Sequence, residues 1–425
     1  MDNSNIWLGF YLFAWVFTFY KYIKINRKFD CISLFYATLS VYALFSFVLY
    51  NDGNFQFHQI TLLPFIYLYT MLYITSLPIR KYSTTQVSQI QIPANWLILV
   101  FCIIPIVCQL VSLPSTINNL STGISNLFID SSAVNDAYLS GREITESTGE
   151  GSVSNLTSVF KNAFKSFSIL MLFTLLMLPK KNKLLIFAML FSIVVGMLGS
   201  AVSGERGGIF QIMISVLGTY FALKDFFDTK TVRVVRVIGT FIVGFIVVLV
   251  VIMTIGRFSS SNEGTNSYMY YYLGQQNLYF NNYALDDNGV RYGDRTIPLF
   301  KKMVGFSNVP NNFIQRRAKY PKLYINDEVF CTYIGDFAID YGPIGAVLLL
   351  LLLTLWIWRK TAVSNGVLYF HQLVLLHLLI CICMQGGLEL FQFADTAGNL
   401  QIIVYVIAYI LSKNFISPIF VNKNI

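Results

Sequence analysis

Residues 184–223 read LLIFAMLFSIVVGMLGSAVSGERGGIFQIMISVLGTYFAL, two apolar runs joined by a short polar segment. The first run has 19 residues (184–202) and the second has 15 (209–223), and between them Glu205 and Arg206 stand side by side among glycines. Helices of about 17 to 25 apolar residues cross the hydrocarbon core of a bilayer. The stretch therefore predicts a tight helical hairpin in a membrane, with a charged turn.

The same pattern continues in both directions along the chain. Of the 425 residues, 55% are hydrophobic and only 12% are charged, whereas a soluble domain carries about 25% charged residues. Eleven apolar runs fall at 6–23, 31–50, 59–79, 96–113, 164–178, 184–202, 209–223, 237–255, 343–358, 366–385 and 399–412. The sequence predicts an all-α polytopic integral membrane protein, a single membrane domain over 1–425, with about 11 transmembrane helices (range about 10 to 12).

The basic residues predict the orientation of these helices. More than half of the 30 Lys and Arg residues lie in loops on one side, for example at Lys180–Lys183 and Lys230–Arg236. Cytoplasmic loops gather Lys and Arg, so this side is predicted to be cytoplasmic. The basic cytoplasmic loops therefore account first for the net charge of +9, which does not indicate nucleic-acid binding. Two long loops, 114–163 and 257–328, are predicted to lie outside.

The second of these loops has an unusual composition. It holds nine tyrosines, most of them in the cluster SYMYYYLGQQNLYFNNY at 267–283. Tyrosine combines a flat apolar face with a hydroxyl group, which suits stacking on a sugar ring. We expect sugar binding by Tyr270, Tyr271, Tyr272 and Tyr279. The loop also holds nine basic residues, which indicate an anionic partner: Arg257, Arg291, Arg295, Lys301, Lys302, Arg316, Arg317, Lys319 and Lys322.

Arginines beside glycines or helix ends are candidates for binding phosphate oxygens. Arg206 lies in SGERGG, where backbone N–H groups at a helix start add to its guanidinium; the alternative is a solvated hairpin turn. Arg257 follows the run 237–255 and either clamps the same anion or reaches lipid headgroups. Arg291 and Arg295 flank a glycine turn in VRYGDRTIPLF.

Four carboxylates are candidates for proton transfer to or from a substrate. Asp336 and Asp340 are four residues apart and share one helix face, and Asp340 also fits the role of a structural cap before Pro343. Glu389 lies in GGLELFQF on a short outer loop, and Glu205 precedes Arg206. His377 lies within an apolar run, where a histidine that bonds a neighbouring helix is the commoner case.

These segments, in this order, resemble the O-antigen and capsule repeat-unit polymerases of the Wzy type. The resemblance rests on SGERGG, YYYLGQQNLYFNN, GDRTIPLF and DEVFCTYIGDFAIDYGPIGAVLLL, and covers roughly 195–360 in pattern and the whole chain in topology. Two features depart from the family. No arginine of the outer loops has glycine at the eleventh following position, and members are often drawn with twelve spans.

The resemblance implies polymerisation of lipid-linked oligosaccharide repeats at the periplasmic face of a bacterial inner membrane. The growing chain on undecaprenyl diphosphate is the donor and a new lipid-linked repeat is the acceptor, with a polysaccharide chain-length regulator as a further partner to consider. The sequence has no Walker or Rossmann glycine motif and no metal-ligand spacing, so we expect no cofactor and no metal. The alternatives are an O-antigen ligase, or a flippase or secondary transporter of the lipid-linked repeat.

Overall fold

The computed structural model describes residues 3–128, 156–202, 206–258, 265–325, 329–390 and 392–423. It is mostly helical, at 74%, and its described part also contains one small β-sheet. The chain divides into two compact units. Unit 1 comprises residues 1–84, 262–361 and 379–399, and unit 2 comprises residues 85–261, 362–378 and 400–425.

Unit 1 is built from helices that lie far apart in the sequence. They are α1 (Ser4–Asn26), α2 (Cys31–Asp52), α3 (Leu62–Thr75), α4 (Leu77–Thr84), α11 (Thr265–Tyr279), α12 (Pro298–Met303), α13 (Phe313–Lys319) and α14 (Thr332–Lys360). A π-helical turn, Phe280–Ala284, follows α11. Most of the outer-loop region predicted at 257–328 is thus ordered helix and turn.

A close approach between α2 and α11 brings this second loop region against the first helices of the chain. A Cβ atom at Gly274 would lie only 2.6 Å from the carbonyl oxygen of Phe45, so glycine is required there. The Ser46 hydroxyl donates to the carbonyl of Gly274 at 2.7 Å and accepts from the Asn277 amide at 2.9 Å. Small residues allow helix backbones to come this close in membranes.

Unit 2 contains the two helices predicted from the apolar runs 184–202 and 209–223. Its helices are α5 (Asn95–Phe128), α6 (Leu156–Ala163), α7 (Lys165–Met177), α8 (Lys183–Val202), α9 (Arg206–Leu223) and α10 (Thr229–Phe258), with a 3₁₀ turn at Lys224–Phe226. Helices α15 (Phe370–Gly386) and α16 (Asp395–Asn414) have residues in both units. Helices α8 and α9 are consecutive in the sequence and pack against each other. A Cβ atom at Gly208 would lie 2.9 Å from the Ser200 hydroxyl. Gly208 therefore serves helix packing.

A three-stranded sheet in unit 2 was not predicted from the sequence. Strand β1 (Gln89–Pro93) lies in the middle, with β2 (Val367–Tyr369) parallel on one side and β3 (Ile416–Asn422) antiparallel on the other. Alternate burial of Ile90 and Ile92 shows that one face of β1 is packed inward. The sheet ties the segment before α5 to the segments before α15 and after α16.

Each of the eleven predicted apolar runs overlaps a helix, from α1 to α16. Among the described residues, seven helices are long and apolar enough to cross a membrane, or eight if the bent pair α3 and α4 counts as one span. Large apolar side chains such as Phe13, Phe187 and Ile344 are exposed on these helices, as expected for surfaces that face lipid. The chain is a multi-pass membrane protein, and its span count of eleven stays a prediction.

Candidate active site

The candidate site begins with a tight turn in the segment RYGDRT. Tyr292 and Gly293 have positive φ angles of 53° and 81°, and the Asp294 N–H donates to the carbonyl of Arg291 at 3.1 Å. At Gly293 a Cβ atom would lie 2.8 Å from the Tyr341 hydroxyl, so the position requires glycine for space as well as for backbone angle. The turn directs Arg291 and Arg295 into the interior of unit 1, where both are buried.

Helix α14 supplies two carboxylates opposite these arginines. The helix is broken at Gly342, whose backbone angles are φ 74° and ψ 162°, and Pro343 begins its second part. Proline is favoured at a first helical turn because it needs no N–H partner there. In the first part, 332–341, Asp336 and Asp340 are one turn apart and both approach Arg291, as their spacing predicted.

Asp340 is completely surrounded by donors. Its Oδ1 atom accepts from Arg291 Nε at 2.7 Å. Its Oδ2 atom accepts from the Thr296 N–H at 2.7 Å, from the Thr296 hydroxyl at 2.8 Å and from the Arg295 N–H at 3.2 Å. With both oxygens occupied and no exposed surface, Asp340 is suited to holding the 291–296 turn against α14. It is poorly suited to exchanging a proton with a substrate.

Arg295 lies between the other two carboxylates. Its Nε atom is 3.1 Å from Asp336 Oδ1, and its Nη2 atom is 2.9 Å from Glu389 Oε2. The Asp336 Oδ2 atom accepts from the Leu390 N–H at 2.8 Å, which fixes the turn that carries Glu389. We refer to Arg291, Arg295, Asp336, Asp340 and Glu389 as the arginine–carboxylate cluster.

The cluster is almost closed to solvent. The exposed fractions of its side chains are 2% for Arg291, 5% for Arg295, 3% for Asp336, 0% for Asp340 and 9% for Glu389. Taking charges out of water is costly unless each finds a partner, and leaving one without a partner costs about 3 to 5 kcal/mol. Buried ionisable groups gather at functional sites, and structural ion-pair networks also contain them. Glu389 is the most exposed member of the cluster.

A second ionic network holds the same turn through Asp294. Asp294 is fully buried and binds Lys301, Lys319 (2.6 Å) and the Tyr320 hydroxyl (2.8 Å). Burial alone would raise the pKa of Asp294, but these three donors outweigh it and hold the pKa below its usual value. Helices α12 and α13 are thereby fastened to the 291–296 turn.

Arg316 and Asp395 extend this second network. Arg316 is buried, pairs with Asp395 and also donates to the Asp294 carbonyl at 3.4 Å. The Asp395 N–H donates to the carbonyl of Arg295 at 2.8 Å. In the sequence, Arg316 is one of nine basic residues of a loop, and Asp395 was not among the predicted site residues. The one signal in the sequence was an acidic residue at the start of the last apolar helix.

The structure thus unites five of the predicted site residues, and it does not describe the side chains of three others. Glu205 lies outside the described residues. Arg206 begins α9 and Arg257 lies in the last turn of α10, but only their backbones belong to the described part of the chain. The roles predicted for these three residues stay predictions.

The four predicted sugar-binding tyrosines lie on α11 and contact other aromatic rings. Tyr271 stacks on Phe55 with ring centroids 4.4 Å apart, and its hydroxyl is 3.0 Å from that of Tyr279. The ring of Tyr272 meets Phe330 edge-on at 5.1 Å. Tyr270 lies 6.1 Å from Phe45. These rings form an aromatic layer along α11, and their binding of sugar stays a prediction.

His377 is a polar link between three helices of unit 2. Its Nε2 atom is 2.8 Å from the Thr219 hydroxyl and its Nδ1 atom is 2.7 Å from the Tyr405 hydroxyl. The Thr219 hydroxyl also donates to the Ser215 carbonyl at 2.7 Å, so it accepts from His377. Helices α9, α15 and α16 are joined by neutral partners, which is the commoner of the two roles considered for this histidine.

Comparison with known proteins adds no family to this description. No protein-family model matches the chain, and no curated protein sequence or solved structure matches it. Within the described residues, no three or more His, Cys, Asp and Glu side chains are arranged to hold a metal ion. The chemistry of the site must therefore be argued from the cluster itself.

Proposed function

We propose that the protein is a glycosyltransferase that polymerises lipid-linked oligosaccharide repeats in O-antigen or capsule biosynthesis. The observation that carries the proposal is the arginine–carboxylate cluster: three carboxylates and two arginines from separate segments converge in a chain that is otherwise strongly apolar. The motif order described above supports the substrate class. In the proposal the active site faces the periplasm of a bacterial inner membrane.

The reaction needs no nucleotide because the donor carries its own leaving group. A hydroxyl oxygen of the incoming repeat attacks the anomeric carbon of the growing chain. The bond from that carbon to the undecaprenyl diphosphate oxygen breaks, and the diphosphate leaves with the electron pair. The hydroxyl proton passes to a carboxylate of the protein. Arginines that contact the diphosphate stabilise its developing charge, the role that the sequence predicts for Arg206 and Arg257. Arg291 and Arg295 are buried and paired with the carboxylates of the cluster.

Glu389 is the carboxylate best placed to accept the proton. It is the least buried of the three, and it sits in a turn that Asp336 holds through the Leu390 N–H. Asp340, in contrast, is saturated by donors from the 291–296 turn. We therefore assign proton transfer to Glu389, and we assign to Arg295, Asp336 and Asp340 the positioning of Glu389 and of the turn.

The environment of His377 supports an enzyme over a proton-coupled transporter. Transporters place ionisable residues near the membrane midplane, where they exchange ions or protons. His377 was the midplane candidate of the sequence, and it is held by two hydroxyl groups, those of Thr219 and Tyr405. The arginine–carboxylate cluster of unit 1 instead joins the turn that carries Arg291 and Arg295 to the first part of α14 and to Glu389.

The experiment that separates the three functions is the lipopolysaccharide ladder of a deletion strain carrying plasmid copies of the gene. For the empty vector we expect core with a single repeat, and for wild type a full ladder. Core without any repeat would indicate a ligase, and repeats retained on the inner leaflet would indicate a flippase. Asp286→Asn, at an exposed carboxylate close to the cluster in sequence, serves as the control and should give a wild-type ladder.

A further inference from the structure

A cavity of about 500 Å³ lies at the beginning of α10 in unit 2. The residues of α10 that line it are Thr229, Val232, Arg233, Arg236 and Val237. Their spacing of three and four residues places them on one face of the helix. The cavity therefore follows the helix axis for two turns and is both basic and apolar. We call it the α10 cavity.

The α10 cavity is lined by more positive than negative charge. Lys224, Arg233 and Arg236 line it together with a single carboxylate, Asp225. The Asp225 Oδ2 atom is 3.1 Å from Lys423 Nζ, so this carboxylate already has a lysine partner from the C-terminal segment. The cavity thus keeps an excess of positive charge.

The other nearby carboxylate, Asp228, is also occupied. It caps α10, accepting from the Thr231 N–H at 2.7 Å and from the Thr231 hydroxyl at 2.8 Å, and it pairs with Lys181. The hydrogen bond from Lys181, followed by that from the Thr231 N–H, lowers the pKa of Asp228 to about 2. Among the described residues, no carboxylate forms an ion pair with Arg233 or Arg236, and both are exposed.

The position of the cavity along α10 matches the level of lipid headgroups. The apolar run 237–255 begins directly after Arg236. Several of its apolar side chains are exposed, among them Phe241 at 76% and Val248. Such a helix enters the hydrocarbon core just beyond Arg236, so Arg233 and Arg236 lie where phosphate groups lie. The excess of Lys and Arg residues in the loops on this side predicts that this leaflet is the cytoplasmic one.

We propose that the α10 cavity binds the phosphate-bearing headgroup of an anionic membrane lipid. Arg233 and Arg236 supply the planar donors that phosphate oxygens prefer. Lys224 also lines the cavity and adds positive charge, and the acyl chains follow the exposed apolar side of α10. Inorganic phosphate shares the headgroup chemistry but lacks the chains. The site is separate from the cluster and does not depend on the proposed function.

Thermal unfolding of the purified full-length protein in a neutral detergent tests this site. Ligands that bind the folded state raise the unfolding midpoint. We expect short-chain phosphatidylglycerol to raise the midpoint of the wild type, and short-chain phosphatidylcholine or inorganic phosphate at the same concentration to raise it much less. The double variant R233Q/R236Q should bind phosphatidylglycerol about thirtyfold more weakly, because each of the two basic residues contributes roughly 1 kcal/mol to attraction of an anionic surface.

A matched control removes the same charge from another exposed position. Arg359 and Lys360 are exposed at the end of α14 and lie on the same predicted side, so R359Q/K360Q should respond to phosphatidylglycerol as the wild type does. R233K/R236K, which keeps the charge, should respond at an intermediate level. An equal response of R233Q/R236Q and wild type would overturn the site. An equal response to inorganic phosphate and phosphatidylglycerol would overturn the assignment to a lipid.

Discussion

Two pairs of arginines in this protein differ in burial and in their contacts with carboxylates. Arg291 and Arg295 of unit 1 are buried, and each contacts at least one carboxylate of the cluster. Arg233 and Arg236 of unit 2 are exposed at the start of α10, beside carboxylates that lysines already hold. A buried guanidinium needs an internal counter-charge, whereas an exposed one keeps its charge for an external anion. Arg291 and Arg295 therefore belong to an internal ion-pair cluster, whereas Arg233 and Arg236 belong to a surface that can bind an anion.

The largest expected difference between the two pairs is in stability. Arg295→Gln leaves Asp336 and Glu389 buried without their shared cation, so we expect a loss of about 3 to 5 kcal/mol in the free energy of unfolding. Arg233→Gln removes an exposed charge and should change that free energy by no more than about 0.5 kcal/mol. Unfolding midpoints in detergent, together with membrane abundance, measure both. Equal losses in the two variants would remove the basis of the comparison.

The ion pair between Arg291 and Asp340 should appear as an energetic coupling. Its Nε–Oδ1 distance is 2.7 Å within a fully buried site, and residues in direct contact show coupling energies of about 0.5 to 3 kcal/mol. We expect a double-mutant cycle with Arg291→Gln and Asp340→Asn to give a value in that range. The corresponding cycle with Arg233→Gln and Asp225→Asn should give a value near zero. Additive losses at Arg291 and Asp340 would contradict the clamp assigned to Asp340.

The Asp294 network should make unit 1 sensitive to acid. The pKa of Asp294 lies below its usual value of about 3.9, so its stabilisation is complete above about pH 4 and is lost as the pH falls through the lowered pKa. Asp294→Asn should therefore be less stable than wild type at neutral pH and should lose less stability on acidification. Unfolding midpoints between neutral pH and pH 3 test this. If the unfolding midpoints of the two proteins fall in parallel as the pH is lowered, Asp294 is not the source of the acid sensitivity.

The smallest effect is expected at the cap of α10. Asparagine caps a helix about as well as aspartate does, so Asp228→Asn loses mainly the partly exposed pair with Lys181. Such pairs contribute about 0 to 1 kcal/mol. The unfolding midpoint should fall slightly, and the fall should shrink further at high salt. A loss as large as that of Arg295→Gln would show that an exposed ion pair in unit 2 matters as much as a buried one in unit 1.

The sequence predicted the helices and five residues of the cluster because both leave local signals. Apolar runs are visible directly, and a charge next to such a run is conspicuous, as at Asp336, Asp340 and Glu389. The break before Pro343 also follows from local chemistry. Which arginine meets which carboxylate is decided by packing between segments far apart in the chain, and no local pattern specifies it.

The same reason explains what the sequence analysis missed. Strand β1 pairs with segments about 280 and 330 positions further along, and its alternation of Gln and Ile is too short, at five residues, to stand out. Arg316 and Asp395 form an ion pair although they are 79 residues apart in the sequence. Each looked like an ordinary charge at the surface of a loop or at a helix end. Burial, which makes the pair significant, is a property of the folded unit alone.

In the proposed function the cluster is the reaction centre, and Glu389 accepts the proton of the attacking hydroxyl group. The most direct measurement is polymer formation by the purified protein supplied with lipid-linked repeats and a chelator, comparing wild type with Glu389→Gln. We expect the wild type to polymerise without metal or nucleotide, and the variant to fold but to be slower by roughly 10² to 10⁴. Wild-type polymerisation by a correctly folded Glu389→Gln would contradict the claim.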